Sequence, residues 1–355
     1  MSADMSALVL HGLGDVRYEQ VPMPEPGPGQ ALIRVAAAGI CGSDLPRIYE
    51  HGAYHYPLIP GHEVAGRVVA LGPDTPVDAG GVAVDTDVVV MPLLPCGRCD
   101  YCRIGAYGQC QDYDYLGSRS DGGMAEYLLA PVANLLPLPT GLDPVDAALC
   151  EPAAVALHAL RQGGVQPGDT VAILGCGAIG MLIAQWARIM GADEVLLVDV
   201  DDAKLELARR MWLGATVNSR TADPVALARR LGRGLGADLV IEAAGVPATF
   251  ERALLMARPL GRVVIMGNPS ADVTLARSTV SQLLRKELTL HGTWNSSFVA
   301  LPTDEWRVTL RYLADRRIDV KPLITHRVPL SQGVQALEMM RRRAEPVARV
   351  VLING

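Results

Sequence analysis

Between Ala7 and about Ala130 the apolar residues come in short runs, at 31–35, 64–71, 88–91 and 124–129, cut by Gly and Pro. Runs of this length bounded by turn formers predict the strands of an irregular all-β domain. After Glu151 the texture changes to strands alternating with helical stretches. It begins with a strand at 170–174 and a helix at 178–190, and continues with strands at 194–199, 238–243 and 262–266 and helices near 203–211, 224–231 and 248–257. Such alternation predicts a parallel, doubly wound sheet, so the fold class is α/β. From about Pro302 the chain reads as one further helix and a last strand at 348–353, which is expected to return to the first domain and make it discontinuous.

Half of the 355 residues are hydrophobic, enough for a large core, and the length favours two domains. The net charge of −6 supplies no long-range pull toward nucleic acid or an anionic membrane. Arg341, Arg342 and Arg343 therefore read as the solvated end of a helix. No apolar run approaches the roughly 20 residues that span a bilayer, and the start lacks the pattern of a signal peptide. A cytoplasmic location is expected. Four of the seven cysteines lie between positions 96 and 110, which in a reducing compartment points to a metal rather than to disulfides.

The strand at 170–174 runs into Gly175-Cys176-Gly177-Ala178-Ile179-Gly180 and then a helix. Glycines there permit a tight turn, close backbone approach to a pyrophosphate and close helix packing, while the helix N-terminus favours the phosphate charge. The next strand ends in Asp199, where a carboxylate accepts hydrogen bonds from ribose hydroxyls and repels a 2′-phosphate. NAD is expected over NADP, with Lys204 as a further ribose contact.

Cys96, Cys99, Cys102 and Cys110 follow C-x2-C-x2-C-x7-C, a spacing that wraps four thiolates around one zinc ion and leaves no position open. A second, open site is less visible. Cys41, His62 and Glu151 are far apart, and each alone is more often structural. Their setting is suggestive: Cys41 and His62 lie in Gly-rich turns, and Glu151 precedes Pro152 where the two textures meet, the kind of boundary where ligands bind. Glu63 is open to three readings: a partner of the ligands, a charge balance, or a replacement ligand.

Cys41-Gly42-Ser43-Asp44, Gly61-His62-Glu63, the four-cysteine lobe, Asp121-Gly122-Gly123, Glu151-Pro152 and the Gly175 turn together resemble the zinc-containing medium-chain dehydrogenases over nearly the whole chain. Residues 41–48, 92–96, 117–119, 285–288 and 292–294 look most like the galactitol-1-phosphate dehydrogenases, with sorbitol dehydrogenases next. The resemblance implies a GroES-like catalytic domain at 1–153 and 297–355 and a Rossmann NAD-binding domain at 154–296. It implies two zinc ions per chain: a structural one on the four cysteines, and a catalytic one on Cys41, His62 and Glu151 with Glu63 beside it. It makes Ser43 the hydroxyl that passes on the substrate proton. Many relatives finish that relay with a histidine where this chain has Pro46; water, the cofactor ribose, His51 or His55 are the alternatives.

The implied activity is NAD-linked oxidation of a polyol or polyol phosphate. Arg47 and Arg119 are candidates for a phosphate, either as paired donors or as mere surface ion pairs. Ser118, Trp294 and Asn295 are further pocket candidates, Trp294 being open also to a core or interface role. By the same resemblance the strand at 288–294 could pair across a two-fold axis, giving a homodimer or homotetramer. An unphosphorylated polyol, cyclitol or aminocyclitol remains an alternative substrate, and a non-catalytic NAD-binding protein an alternative of another class.

Overall fold

In this computed structural model residues 4–75 and 81–354 are described. The chain divides into two units, Met1–Glu151 with Ser297–Gly355, and Pro152–Ser296. The first unit opens with an antiparallel hairpin, β1 (Asp4–Gly12) and β2 (Asp15–Pro22). β3 (Gln30–Ile40), β4 (Glu63–Leu71) and β5 (Asp87–Val90) follow, then the short pair β6 (Leu93–Leu94) and β7 (Asp114–Tyr115), and then β8 (Tyr127–Pro131) and β9 (Leu135–Pro137). β3 is long enough to serve several neighbours, and it pairs with β4 and with β8. Two shifts in its register against β4, at Leu32/Ile33 and Val35/Ala37, bend it as bulges do.

The second unit carries six parallel strands: β10 (Thr170–Leu174), β11 (Glu194–Asp199), β12 (Ala215–Asn218), β13 (Ala237–Glu242), β14 (Ala257–Ile265) and β15 (Thr289–Gly292). Their spatial order is β12-β11-β10-β13-β14-β15, the doubly wound arrangement in which the chain reverses direction of travel beside the first strand. All five residues of β10 are buried, as expected for a strand covered on both faces. Sequence punctuation sets the helix starts. Asp201 accepts from the N–H groups of Ala203 and Lys204 ahead of helix Asp202–Arg210, and Asp223 from Val225 ahead of Pro224–Leu231, whose first turn holds a proline. Each such cap is worth about 0.5–2 kcal/mol.

The chain then re-enters the first unit. β16 (Ile324–Pro329) and β17 (Arg349–Ile353) complete a seven-stranded sheet of order β16-β17-β3-β4-β5-β9, with β8 on β3. Two helices, Glu305–Ala314 and Gly333–Arg342, occupy the tail where the sequence pattern gave one. Arg341 and Arg342 end the second of these and Arg343 follows in a left-handed cap, all three exposed. No helix of the described residues is long and apolar enough to cross a membrane.

Candidate active site

The four cysteines of the lobe converge. Cys96, Cys99, Cys102 and Cys110 Sγ atoms lie within 4.8 Å of one another, with Cys99–Cys102 at 3.5 Å, Cys99–Cys110 at 3.9 Å and Cys96–Cys102 at 4.0 Å. A tetrahedral zinc with Zn–S bonds of about 2.3 Å needs sulfur separations of about 3.8 Å. The backbone N–H groups of Gln111 and Cys102 pull the Cys99 thiol down to about 6, whereas burial and the neighbouring thiols push Cys102 up to about 12. Four thiols this close cannot all ionise without a cation between them, and all four are free of disulfides. The donor set fits zinc.

A second convergence is built by three adjacent strands. Cys41 follows the last residue of β3, His62 precedes β4, and Glu63 opens β4 directly opposite Gly39. A Cβ on Gly39 would collide with the Glu63 carboxylate, so glycine is what lets Glu63 turn inward. Ligand atoms of Cys41, His62 and Glu63 all lie within 4.8 Å of one another. β17, on the other side of β3, supplies Arg349, whose Nη1 donates to Glu63 Oε1 at 2.8 Å and to the Ile40 carbonyl at 3.1 Å. Glu63 Oε2 and His62 Nδ1 are buried with no hydrogen-bond partner. An orphaned carboxylate oxygen and ring nitrogen are costly unless a ligand takes them up.

Asp44 joins the cluster through Cys41, Arg47 and His62. Its fully buried carboxylate accepts from the Cys41 N–H at 3.0 Å and from Arg47 Nη1 at 3.0 Å, and it lies 3.5 Å from His62 Nδ1, too far for a good hydrogen bond. Burial lowers the His62 pKa, but the Asp44 carboxylate and the Cys41 sulfur outweigh it and leave the imidazole well above its usual range. The carboxyl groups of Asp44, Glu63 and Glu151 and the Cys41 sulfur gather here with His62 and two guanidiniums, Arg47 and Arg349. Sulfur, nitrogen and oxygen donors together suit zinc.

Glu151 sits in the first turn of helix Cys150–Gly163. The Tyr115 hydroxyl donates to its Oε1 at 3.4 Å, and the Tyr115 ring meets that of His62 edge-on at 5.8 Å. Burial lifts Glu151 to about 7 against the pull of His62. Glu151 therefore borders the cluster, while Glu63 completes the tightest three-donor group. Sequence reasoning passed over Arg349, Asp44 and Tyr115. Asp44 stood inside a quoted motif and could have been found there, whereas Arg349 arrives from 286 residues beyond Glu63.

Ser43 is exposed and precedes the helical turn Asp44–Pro46 without capping it through its side chain, so its hydroxyl is uncommitted. His51 is exposed, with Nε2 4.0 Å from Glu50. Both ring nitrogens of His55 face carbonyl oxygens, those of Pro57 at 3.1 Å and Arg119 at 2.9 Å. Ser118 is buried with its hydroxyl toward the Tyr115 carbonyl. Arg119 lies over the rings of Tyr54 and Tyr113, 4.3 Å from each centroid. In the second unit Trp294 is 55% exposed, and Asn295 has a positive φ and a buried, unpartnered Nδ2.

The second unit holds the dinucleotide turn. Gly175 has φ +104°, Gly180 leaves no room for a Cβ against the Gly175 carbonyl, and a Cβ on Gly177 would point into open space with nothing within 4 Å. The helix Ala178–Ile189 that begins there has no side-chain cap, which leaves its first N–H groups, in the turn of Ala178 and Ile179, available to an anion. Asp199, at the end of β11, accepts from Cys176 N–H at 2.7 Å through Oδ2, and from Val200 at 2.7 Å and Asp201 at 3.0 Å through Oδ1. Its carboxylate is fixed beside the turn with lone pairs to spare. Lys204 Nζ stands 4.0 Å from Asp201. Open space above glycine, free helix N–H groups and a fixed acid fit a nicotinamide dinucleotide.

Comparison with known proteins agrees with this geometry. The alcohol dehydrogenase GroES-like domain matches residues 27–140 and the zinc-binding dehydrogenase domain residues 178–315. The chain is 36% identical over 350 residues to galactitol 1-phosphate 5-dehydrogenase of Escherichia coli (strain K12), covering 98% of this chain and 100% of that one. The crystal structure of galactitol-1-phosphate dehydrogenase from Escherichia coli superposes with a TM-score of 0.91 at 36% identity, over 99% of this chain and 100% of that chain. A putative zinc-binding dehydrogenase from Sinorhizobium meliloti 1021, bound to NADP, gives 0.88 at 33% identity over 99% and 100%.

Proposed function

This chain belongs to the zinc-containing medium-chain alcohol dehydrogenases, oxidoreductases that use zinc and a nicotinamide dinucleotide, and from that premise we propose that it oxidises a secondary alcohol of a polyol phosphate to a ketose phosphate. The observation that carries the reading is the convergence of Cys41, His62 and Glu63, with His62 Nδ1 and Glu63 Oε2 buried and unpartnered. When bound there, zinc supplies the Lewis acidity that makes a hydroxyl acidic, and the nicotinamide supplies the hydride acceptor.

The chain's own residues do the rest. Cys41 and His62 hold the metal, with Glu63 or Glu151 as third ligand. Arg349 fixes Glu63, and the Tyr115 hydroxyl fixes Glu151. Ser43 takes the proton released from the substrate. Pro46 offers no base, and the His55 nitrogens face carbonyls, which leaves water, the cofactor ribose and the exposed His51 as routes for the proton from Ser43. The four-cysteine lobe holds a second, closed zinc that supports the fold.

Asp199 favours NAD, because a fixed carboxylate accepts ribose hydroxyls and repels a 2′-phosphate. Galactitol 1-phosphate, named for one relative, is the first substrate to try. The protein works in the cytoplasm as a homo-oligomer. β15, an edge strand of the second unit's sheet with Leu290 and Trp294 exposed near it, is the pairing edge for a dimer or a pair of dimers.

The test is a panel of polyols and their phosphates assayed with NAD and with NADP by absorbance of the reduced cofactor. NAD-dependent turnover of a polyol phosphate, lost together with one zinc ion in Cys41→Ser, is expected. Full activity in a variant lacking that zinc sinks the reading, and preference for the unphosphorylated polyol corrects the substrate.

A further inference from the structure

We infer that Arg119, held over Tyr54 and Tyr113, is the residue that reads the substrate's phosphate, and that Arg47 is not. This rests on the polyol-phosphate reading above and adds to it which cation confers the preference.

The two arginines differ in what they are already bound to. Arg47 Nη1 is 3.0 Å from Asp44 Oδ1, and Asp44 also accepts the Cys41 N–H. The Arg47 charge is spent on a fully buried carboxylate that shapes the ligand loop. Arg119 has no carboxylate partner among the described residues. Its guanidinium carbon lies 4.3 Å from the centroids of both tyrosine rings, and its hydrogen bond to the Tyr54 hydroxyl is long at 3.5 Å. A guanidinium carries five N–H donors in a planar fork. Stacking on aromatic rings orients that fork, and with no carboxylate bound to it donors remain for paired recognition of phosphate oxygens. The Tyr54 hydroxyl, which accepts from Arg119, keeps its own O–H to donate.

The arginine is also anchored to the ligand loop. Its N–H donates to the Tyr115 carbonyl at 2.9 Å, and its own carbonyl meets His55 Nε2 at 2.9 Å. Gly117, two residues earlier, is pressed against the backbone of Gly61, the neighbour of His62, and a Cβ on Gly117 or Gly122 would collide with Gly61. Ring contacts run the same way: Tyr113 meets Tyr115 edge-on at 6.5 Å, and Tyr115 meets His62 at 5.8 Å. Arg119 is thus an unneutralised, oriented cation tied by backbone and by rings to the metal ligands of its own unit. A substrate whose hydroxyl lies at Cys41 and His62 and whose far end carries a phosphate finds its counter-charge there.

The experiment compares a polyol phosphate with the same polyol unphosphorylated, in the zinc-loaded protein with NAD. Arg119→Met is expected to raise KM for the phosphate by about 10- to 100-fold, and for the plain polyol by no more than about threefold, the size of a lost charge-assisted contact. Arg119→Lys, which keeps the charge and loses the fork, recovers part of that loss. Tyr54→Ala, at a side chain 69% exposed and so safe for folding, shifts the phosphate KM in the same direction. Inorganic phosphate should inhibit oxidation of the plain polyol in the parent protein and do so more weakly in Arg119→Met. Arg47→Met should instead lower kcat on both substrates alike. If the parent prefers the phosphate and Arg119→Met raises both KM values equally, the assignment to Arg119 is wrong while the phosphate reading stands. If the parent treats both substrates equally and ignores inorganic phosphate, both fall.

Discussion

Arg349 Nη1 donates to Glu63 Oε1 at 2.8 Å with both side chains almost wholly out of solvent. A buried pair of this kind stabilises little relative to apolar packing, but removing one partner strands the other charge at a cost of about 3–5 kcal/mol. Arg349→Met should therefore lower the melting temperature sharply. Glu63→Gln in the same chain should recover part of the loss, and a double-mutant cycle read by denaturant unfolding measures how much. Additive losses would mean that the two residues are not coupled.

Which carboxylate completes the open metal site is decided by metal analysis. The parent chain is expected to hold about two zinc ions, one closed and one open. Cys99→Ser should lose the closed one and, with it, resistance of the lobe to proteolysis, since a structural metal stabilises the fold directly. Glu63→Gln and Glu151→Gln separate the remaining readings: the variant of the true third ligand drops to about one zinc per chain, the other keeps both and loses rate only. Two zinc ions in both variants would mean that Cys41 and His62 suffice with water.

Much of this was legible because its signals are local. The four cysteines fall within fifteen positions, and the Gly175 turn, with Asp199 a strand and helix later, carries its own context. The geometry around His62 was not, because it depends on three strands brought side by side. Glu63 turns inward only because Gly39 faces it and Arg349 arrives from the far end of the chain. β1 escaped the pattern for another reason. Met5 to Leu10 are buried without alternation, so period two is not visible there. The second tail helix, Gly333–Arg342, buries only Gly333, Ala336 and Leu337, a stripe too thin to stand out among its polar residues.

Stability of the second unit should show a defined acid limb at Asp238. Burial alone would raise its pKa, but the Thr170 N–H and the Arg258 guanidinium, 2.5 Å away, outweigh this and hold it below the ordinary carboxylate value. A depressed folded-state pKa contributes stability that is present above the unfolded value, near pH 4, and is lost as pH falls through the folded one. Asp238→Asn should thus cost about 1.5–3 kcal/mol at neutral pH. The gap between parent and variant melting temperatures should close as the solution is taken below about pH 4. A gap that does not change with pH would show that the Asp238 charge is not what stabilises.

Cofactor choice turns on Asp199 and on the space at Gly177. Asp199 is fixed by three backbone N–H groups, so it cannot swing away from a 2′-phosphate. Asp199→Ala should raise KM for NAD about 10- to 100-fold, the loss of charge-assisted hydrogen bonds to the ribose, and lower that for NADP. Gly180→Ala should weaken both cofactors alike, because its Cβ meets the Gly175 carbonyl and displaces the turn itself. Fluorescence titration with each reduced cofactor reads the two effects without turnover. If Asp199→Ala weakens NADP as much as NAD, the carboxylate supports the turn and does not select the nucleotide.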